Sequence, residues 1–214
     1  MTIPTNVSAK IYWSKGKTRV HKGLEINRPI QNAKLSKVQL RSAEGQALIS
    51  SGCYACSFSD IVIGRSRRLL GVQGSRNSIY ENISGEFYER GIEVTMFANG
   101  NTIRAVDGRY LPLSNYEPRP AIRVGEYARN NLIEDVTLKL IDDARLLRIR
   151  FNHSSSNQLQ NINMHLDQTD FSRNADRLLK SMDDLPRKTT IDNFRVCVNK
   201  RLLKKNNCLG HNLK

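Results

Sequence analysis

Apolar residues along this chain follow an eight-residue pattern that recurs seven times, beginning at Ala33, Cys56, Ser78, Asn101, Asn131, Asn157 and Thr189. The starts are 23, 22, 23, 30, 26 and 32 residues apart. Positions three, six and eight are apolar in 19 of 21 cases, where a composition of 39% hydrophobic residues gives about eight by chance; the exceptions are Gly85 and Gly108. That spacing fits neither an unbroken strand nor a helix. It fits two short strands joined by a one-residue bend at position five. Asp60, Asn82, Asp135, Asn161 and Asn193 hold that position in five copies, and Asn and Asp are the non-glycine residues that best tolerate a left-handed backbone.

A shorter signature, two apolar residues flanking one outward residue, follows each long one. It comprises Leu48, Leu70/Val72, Ile92/Val94, Ile122/Val124, Leu147/Ile149 and, more weakly, Leu179/Ser181, while Leu24/Ile26 precede the first long copy. The pattern therefore predicts an all-β chain of about seven coils with three short strands per coil. Residues 24–196 form the coil body, 1–23 an N-terminal cap or attachment segment, and 197–214 a basic C-terminal tail or cap. The long-to-short step varies most, so the insertions fall at one corner.

These stacks and the Asn-rich positions resemble the right-handed parallel β-helix of pectate lyases, polygalacturonases and phage tailspikes. The resemblance covers residues 24–196 and concerns the fold, without a motif specific to any one family. It implies glycan-handling enzymes, adhesins or virion parts as the functional range.

Charge sharpens the picture. Residues 1–37 carry eight basic residues against one acidic and residues 187–214 the same, whereas 38–186 carry eighteen of each, within a net charge of +14. Two basic ends on a neutral body suit docking on an acidic protein surface, such as a virion shell or a neighbouring subunit, with Lys200, Arg201, Lys204 and Lys205 as the contacts. The same ends permit nonspecific nucleic-acid contact. The open ends of a coil also favour oligomers. No apolar run is long enough to span a bilayer, and the opening residues lack the pattern of a secretory signal. A virion or extracellular location reached through assembly is the matching expectation.

The strand after the insertion-rich corner forms the glycan-cleft floor in the resembled fold. Its outward residues here include Glu93, Arg123, Arg148 and Lys180, expected as a ladder on successive coils about 4.8 Å apart. The insertions Gly108–Arg119 and His165–Leu178 supply expected walls, with Tyr110 and Tyr116, and Asp142 and Asp143 lie between them. Such a face fits an anionic glycan. The expected function is a structural or glycan-recognition protein, of the kind found as a tailspike-like, fibre or capsid-decorating part of a phage virion, docking through its basic ends. The alternative is a polysaccharide lyase or glycoside hydrolase acting on an acidic glycan, which needs a second carboxylate or a base opposite Glu93.

No cofactor motif is present. Cys53, Cys56, Cys197 and Cys208 have partly metal-like spacing, but the coil count puts the two pairs about 24 Å apart, so no zinc site is expected and all four are read as free thiols. Glu81, Arg104 and Glu134 share one outward position in successive coils and are expected to form an ion-pair ladder.

Overall fold

The computed structural model describes residues 9–11, 22–26, 30–40, 46–167, 173–180, 185–200 and 205–213. In chain order the elements are β1 (Ala9–Ile11), β2 (Lys22–Ile26), β3 (Ile30–Gln31), β4 (Lys34–Leu40), β5 (Gln46–Ser51), β6 (Cys53–Tyr54), β7 (Ser57–Gln73), β8 (Ile79–Thr95), β9 (Thr102–Tyr110), β10 (Ile122–Gly125), β11 (Leu132–Leu140), β12 (Ile149–Asn152) and β13 (Gln158–Leu166). Helix α1 (Arg173–Lys180), β14 (Thr190–Lys200) and β15 (Lys205–Leu213) complete the chain.

The chain is an all-β parallel solenoid. β4, β7, β8, β9, β11, β13 and β14 stack in parallel as seven rungs. Position three of the repeat stacks as Leu35, Phe58, Tyr80, Ile103, Ile133, Leu159 and Ile191, and position six as Val38, Ile61, Ile83, Val106, Val136, Ile162 and Phe194. Apart from the half-buried Leu35 and Val38 of the first rung, all of these are buried. Each coil thus hides one apolar layer against the next, which no coil could do alone.

The bend is left-handed in every copy. Lys37, Asp60, Asn82, Ala105, Asp135, Asn161 and Asn193 all have φ between 49° and 56°, so Lys37 and Ala105 adopt the turn without the usual side chain. Where Asn and Asp recur they bond along the solenoid axis: Asn82 Nδ2 donates to Asp60 Oδ1 (3.0 Å), Asn161 Nδ2 to Asp135 Oδ1 (2.8 Å) and Asn193 Nδ2 to Asn161 Oδ1 (2.7 Å). The two glycines at position eight are explained by their neighbours. A Cβ on Gly108 would lie 2.9 Å from Leu69 and 3.1 Å from Phe87, two buried side chains that fill the space a larger residue would take.

A second left-handed column, absent from the sequence reading, precedes each repeat: Asn32, Ala55, Asn77, Gly100, Asn130, Ser156 and Lys188. It turns the chain inward, so that position one is buried in every copy. In three coils that position is asparagine, with Asn101 Nδ2 donating to Asn131 Oδ1 (2.8 Å) and Asn131 Nδ2 to Asn157 Oδ1 (2.9 Å). Their spare donors reach backbone carbonyls such as Ser75 and Ala98. The ladder satisfies its own buried polar groups, as such a network must.

The short signatures form a third face of six rungs: β2, β5, the later halves of β7 and β8, β10 and β12. Insertions do fall at the corner before it. At the ends β1 adds antiparallel to β2 and β15 adds antiparallel to β14. Cys197 stands opposite Cys208 in that last pair and the two are disulfide-bonded. This corrects the expectation of four free thiols: the hairpin brings together cysteines 11 residues apart. Cys53 and Cys56 are buried and in no disulfide. Burial pushes the Cys53 thiol up to about 12, against an opposing hydrogen bond from Ser50.

Candidate functional site

The outward ladder of the third face runs Gly71, Glu93, Arg123, Arg150, with Arg123 beside Arg150. Arg148, expected on that rung, lies two residues earlier, because Ile149 and Phe151 are the pair that stacks on Ile122 and Val124. Lys180, expected on the next rung, ends α1 instead. The ladder of Glu93, Arg123, Arg148 and Lys180 is therefore replaced by one in which only Glu93 and Arg123 keep their places.

Glu93 is no open floor residue: it is 1% exposed. Arg68 and Arg90 stand side by side in register on β7 and β8, a repulsive placement that the Glu93 carboxylate relieves. Oε2 accepts from Arg68, and Oε1 accepts from Arg90 and, at 2.8 Å, from Arg123. Burial pulls the Arg90 guanidinium below its ordinary value and Glu93 opposes that pull. Arg123 also donates to Glu126 Oε1 at 2.6 Å. With both oxygens taken by guanidinium groups, Glu93 is built as a structural counter-ion.

The expected walls divide. Tyr110 is buried edge-on against Phe87. Tyr116 packs on Tyr88 with ring centroids 4.6 Å apart and carries Arg67 over its face. The first insertion thus lies down on the solenoid, over the ion pairs that Glu89 makes with Arg67 and Arg119. Asp143 Oδ1 accepts from the backbone N–H groups of Arg145 (2.7 Å) and Leu146 (3.2 Å) and closes a turn, while Asp142 Oδ1 accepts from Asn174 Nδ2 at 3.0 Å. The expected ladder of Glu81, Arg104 and Glu134 is in register, with Arg104 and Glu81 2.7 Å apart.

Of the second insertion, the helical end forms a wall. Helix α1 encloses, with β12, a groove of about 470 Å³ lined by Ala144, Leu147, Arg148, Ile149, Arg150, Phe151, Asn174, Arg177 and Leu178. Three arginines and one amide surround an apolar strip, and no carboxylate belongs to the lining. Among the described residues no acid pairs with Arg148, Arg150 or Arg177, and all three are exposed. Arg177 was missed from sequence because the Leu179/Ser181 spacing pointed to a strand; Ala175 and Leu178, buried and three apart, are the helical signal.

Of the basic end, Lys200 and Lys205 face each other across the β14–β15 hairpin, and Arg201 and Lys204 lie outside the described residues. Cys197 and Cys208 being bonded to one another, the four cysteines cannot share an ion.

No protein-family model, curated protein or solved structure matches the chain. The coil architecture and the groove's own chemistry are what a functional reading rests on.

Proposed function

We propose that this solenoid is a structural recognition subunit that docks on an acidic partner, of the kind that serves in a virion as a tailspike-like, fibre or capsid-decorating part. One observation carries the reading: the groove between β12 and α1 holds Arg148, Arg150 and Arg177 with no carboxylate among its lining residues. Clustered cations repel one another, and a polyanion laid across them relieves that repulsion and gains charge-assisted hydrogen bonds. The basic end of the sequence, Lys200, Arg201, Lys204 and Lys205, adds a second contact of the same sign, within a net charge of +14.

A second reading, an acidic glycan along the same face, is favoured by the adjacency of Arg123 and Arg150 and by the Asn174 amide in the groove. Titration calorimetry with acidic peptides, acidic oligosaccharides and a neutral oligosaccharide tests both. Binding of an acidic ligand should fall as salt rises, and Arg150→Ala should weaken it by about 1.5 to 3 kcal/mol. No binding to any acidic ligand, or equal salt-independent binding by wild type and variant, would remove the reading.

A further inference from the structure

Among the described residues the third face ends one step before the other two; Ser181 of the expected last signature lies outside them. After β13 the chain forms α1 in place of another short strand, so β12 pairs with β10 alone among the described residues. Its hydrogen-bonding groups can be assigned. Arg148 C=O accepts from Ile122 N–H (3.4 Å) and Asn152 C=O from Glu126 N–H (2.8 Å), so these carbonyls face β10. Successive residues of a strand alternate sides, so Arg150 also faces β10, and Ile149 and Phe151 turn their N–H and C=O groups to the groove. Their side chains report the same truncation. Ile122 and Val124 are fully buried, while Ile149 and Phe151, stacked on them, are only partly so.

We infer that this edge accepts one more strand, an extended acidic peptide from a partner chain, paired in parallel with β12. Both features of the groove select it. The free backbone edge asks for an extended chain, which supplies donors and acceptors at a strand's spacing. Arg148, Arg150 and Arg177 ask for negative charge. The chain contains its own pattern for the occupant: Ile92, Glu93 and Val94 stack on Ile122, Arg123 and Val124, with Glu93 bonded to Arg123. The matching segment over Ile149, Arg150 and Phe151 is apolar, acidic, apolar, its carboxylate beside Arg150.

The inference rests on the acidic-docking reading, and the test separates the two. A short peptide of alternating valine and glutamate is titrated against the full chain. The same peptide N-methylated at alternate amides and an acidic oligosaccharide of equal charge form the other arms, and amide hydrogen exchange is followed at Ile149 and Phe151. The unmodified peptide should bind, should slow exchange at both amides, and should lose about tenfold to a hundredfold in affinity on N-methylation, the worth of two backbone hydrogen bonds. Arg150→Ala should weaken both peptides. Equal binding of the methylated peptide would overturn strand addition while leaving acidic docking intact. Binding of the oligosaccharide alone would do the same. Slow exchange at Ile149 and Phe151 in the free protein would mean that the edge is already closed, and would also overturn the inference. If nothing acidic binds, both readings fall together.

Discussion

Arg123 reaches down one coil to place its Nη1 2.8 Å from Oε1 of the buried Glu93. The same carboxylate separates Arg68 from Arg90, so one acid holds three guanidinium groups within the wall. Removing its charge strands cations that are largely withdrawn from water, the costly way to break a buried pair. Glu93→Gln should therefore destabilise the fold by about 3 to 5 kcal/mol, read as a shift in the urea midpoint. A cost near zero would mean that the arginines swing into solvent.

Ala105 interrupts the column of axial side-chain bonds that joins Asp60 to Asn82 below it and Asp135, Asn161 and Asn193 above it. It also holds φ 53° with a residue ill suited to that region. Ala105→Asn should relieve the backbone and bridge the gap, stabilising the protein by about 0.5 to 1.5 kcal/mol in thermal or chemical unfolding. Ala105→Gly, which relieves the backbone without adding a bond, should give less.

The Cys197–Cys208 bond fastens β15 over the last rung. Closing an 11-residue separation in the unfolded chain is worth about 2 to 4 kcal/mol. Reduction, or the Cys197→Ala/Cys208→Ala pair, should lower stability by that amount. Exchange should quicken first in β15, whereas the amides of β9 and β11 should keep their protection.

His165 lies beside Lys139 in register, and burial, then the Lys139 charge, lowers its pKa, with Asp107 opposing. A histidine depressed in the folded state is protonated more readily when unfolded. Its contribution to stability is thus fully present above the ordinary value near 6.5 and is lost as pH falls through the lower folded value. The urea midpoint should drop across that window, and His165→Gln should flatten the dependence.

The inward stacks were legible because burial enforces one residue type at one phase in every coil; Ile133 and Val136 could be placed from spacing alone. The third face was legible only as far as β10. The loop before β12 holds Leu146 and Leu147, both buried, and apolar residues there imitate a strand pair, which moved the expected rung by two and put Arg148 where Arg150 stands. Glu93 looked like an outward residue in the strand period, and it is. Its burial comes from Arg68 and Arg90, whose positions relative to it depend on register. The disulfide escaped notice because Cys208 lies beyond the last repeat, where the pattern says nothing about an antiparallel return.

A solenoid whose faces all stopped at one level would end in a flat annulus, able to meet any similar annulus in any rotation about the axis. Here, among the described residues, the third face stops at β12 while β13 and β14 continue on the other two and β15 pairs antiparallel with β14. Those strands end as a staircase whose low tread is β12. Indefinite end-to-end fibres of this chain are disfavoured by that shape, and whatever seats on the tread can do so in one orientation and once per molecule.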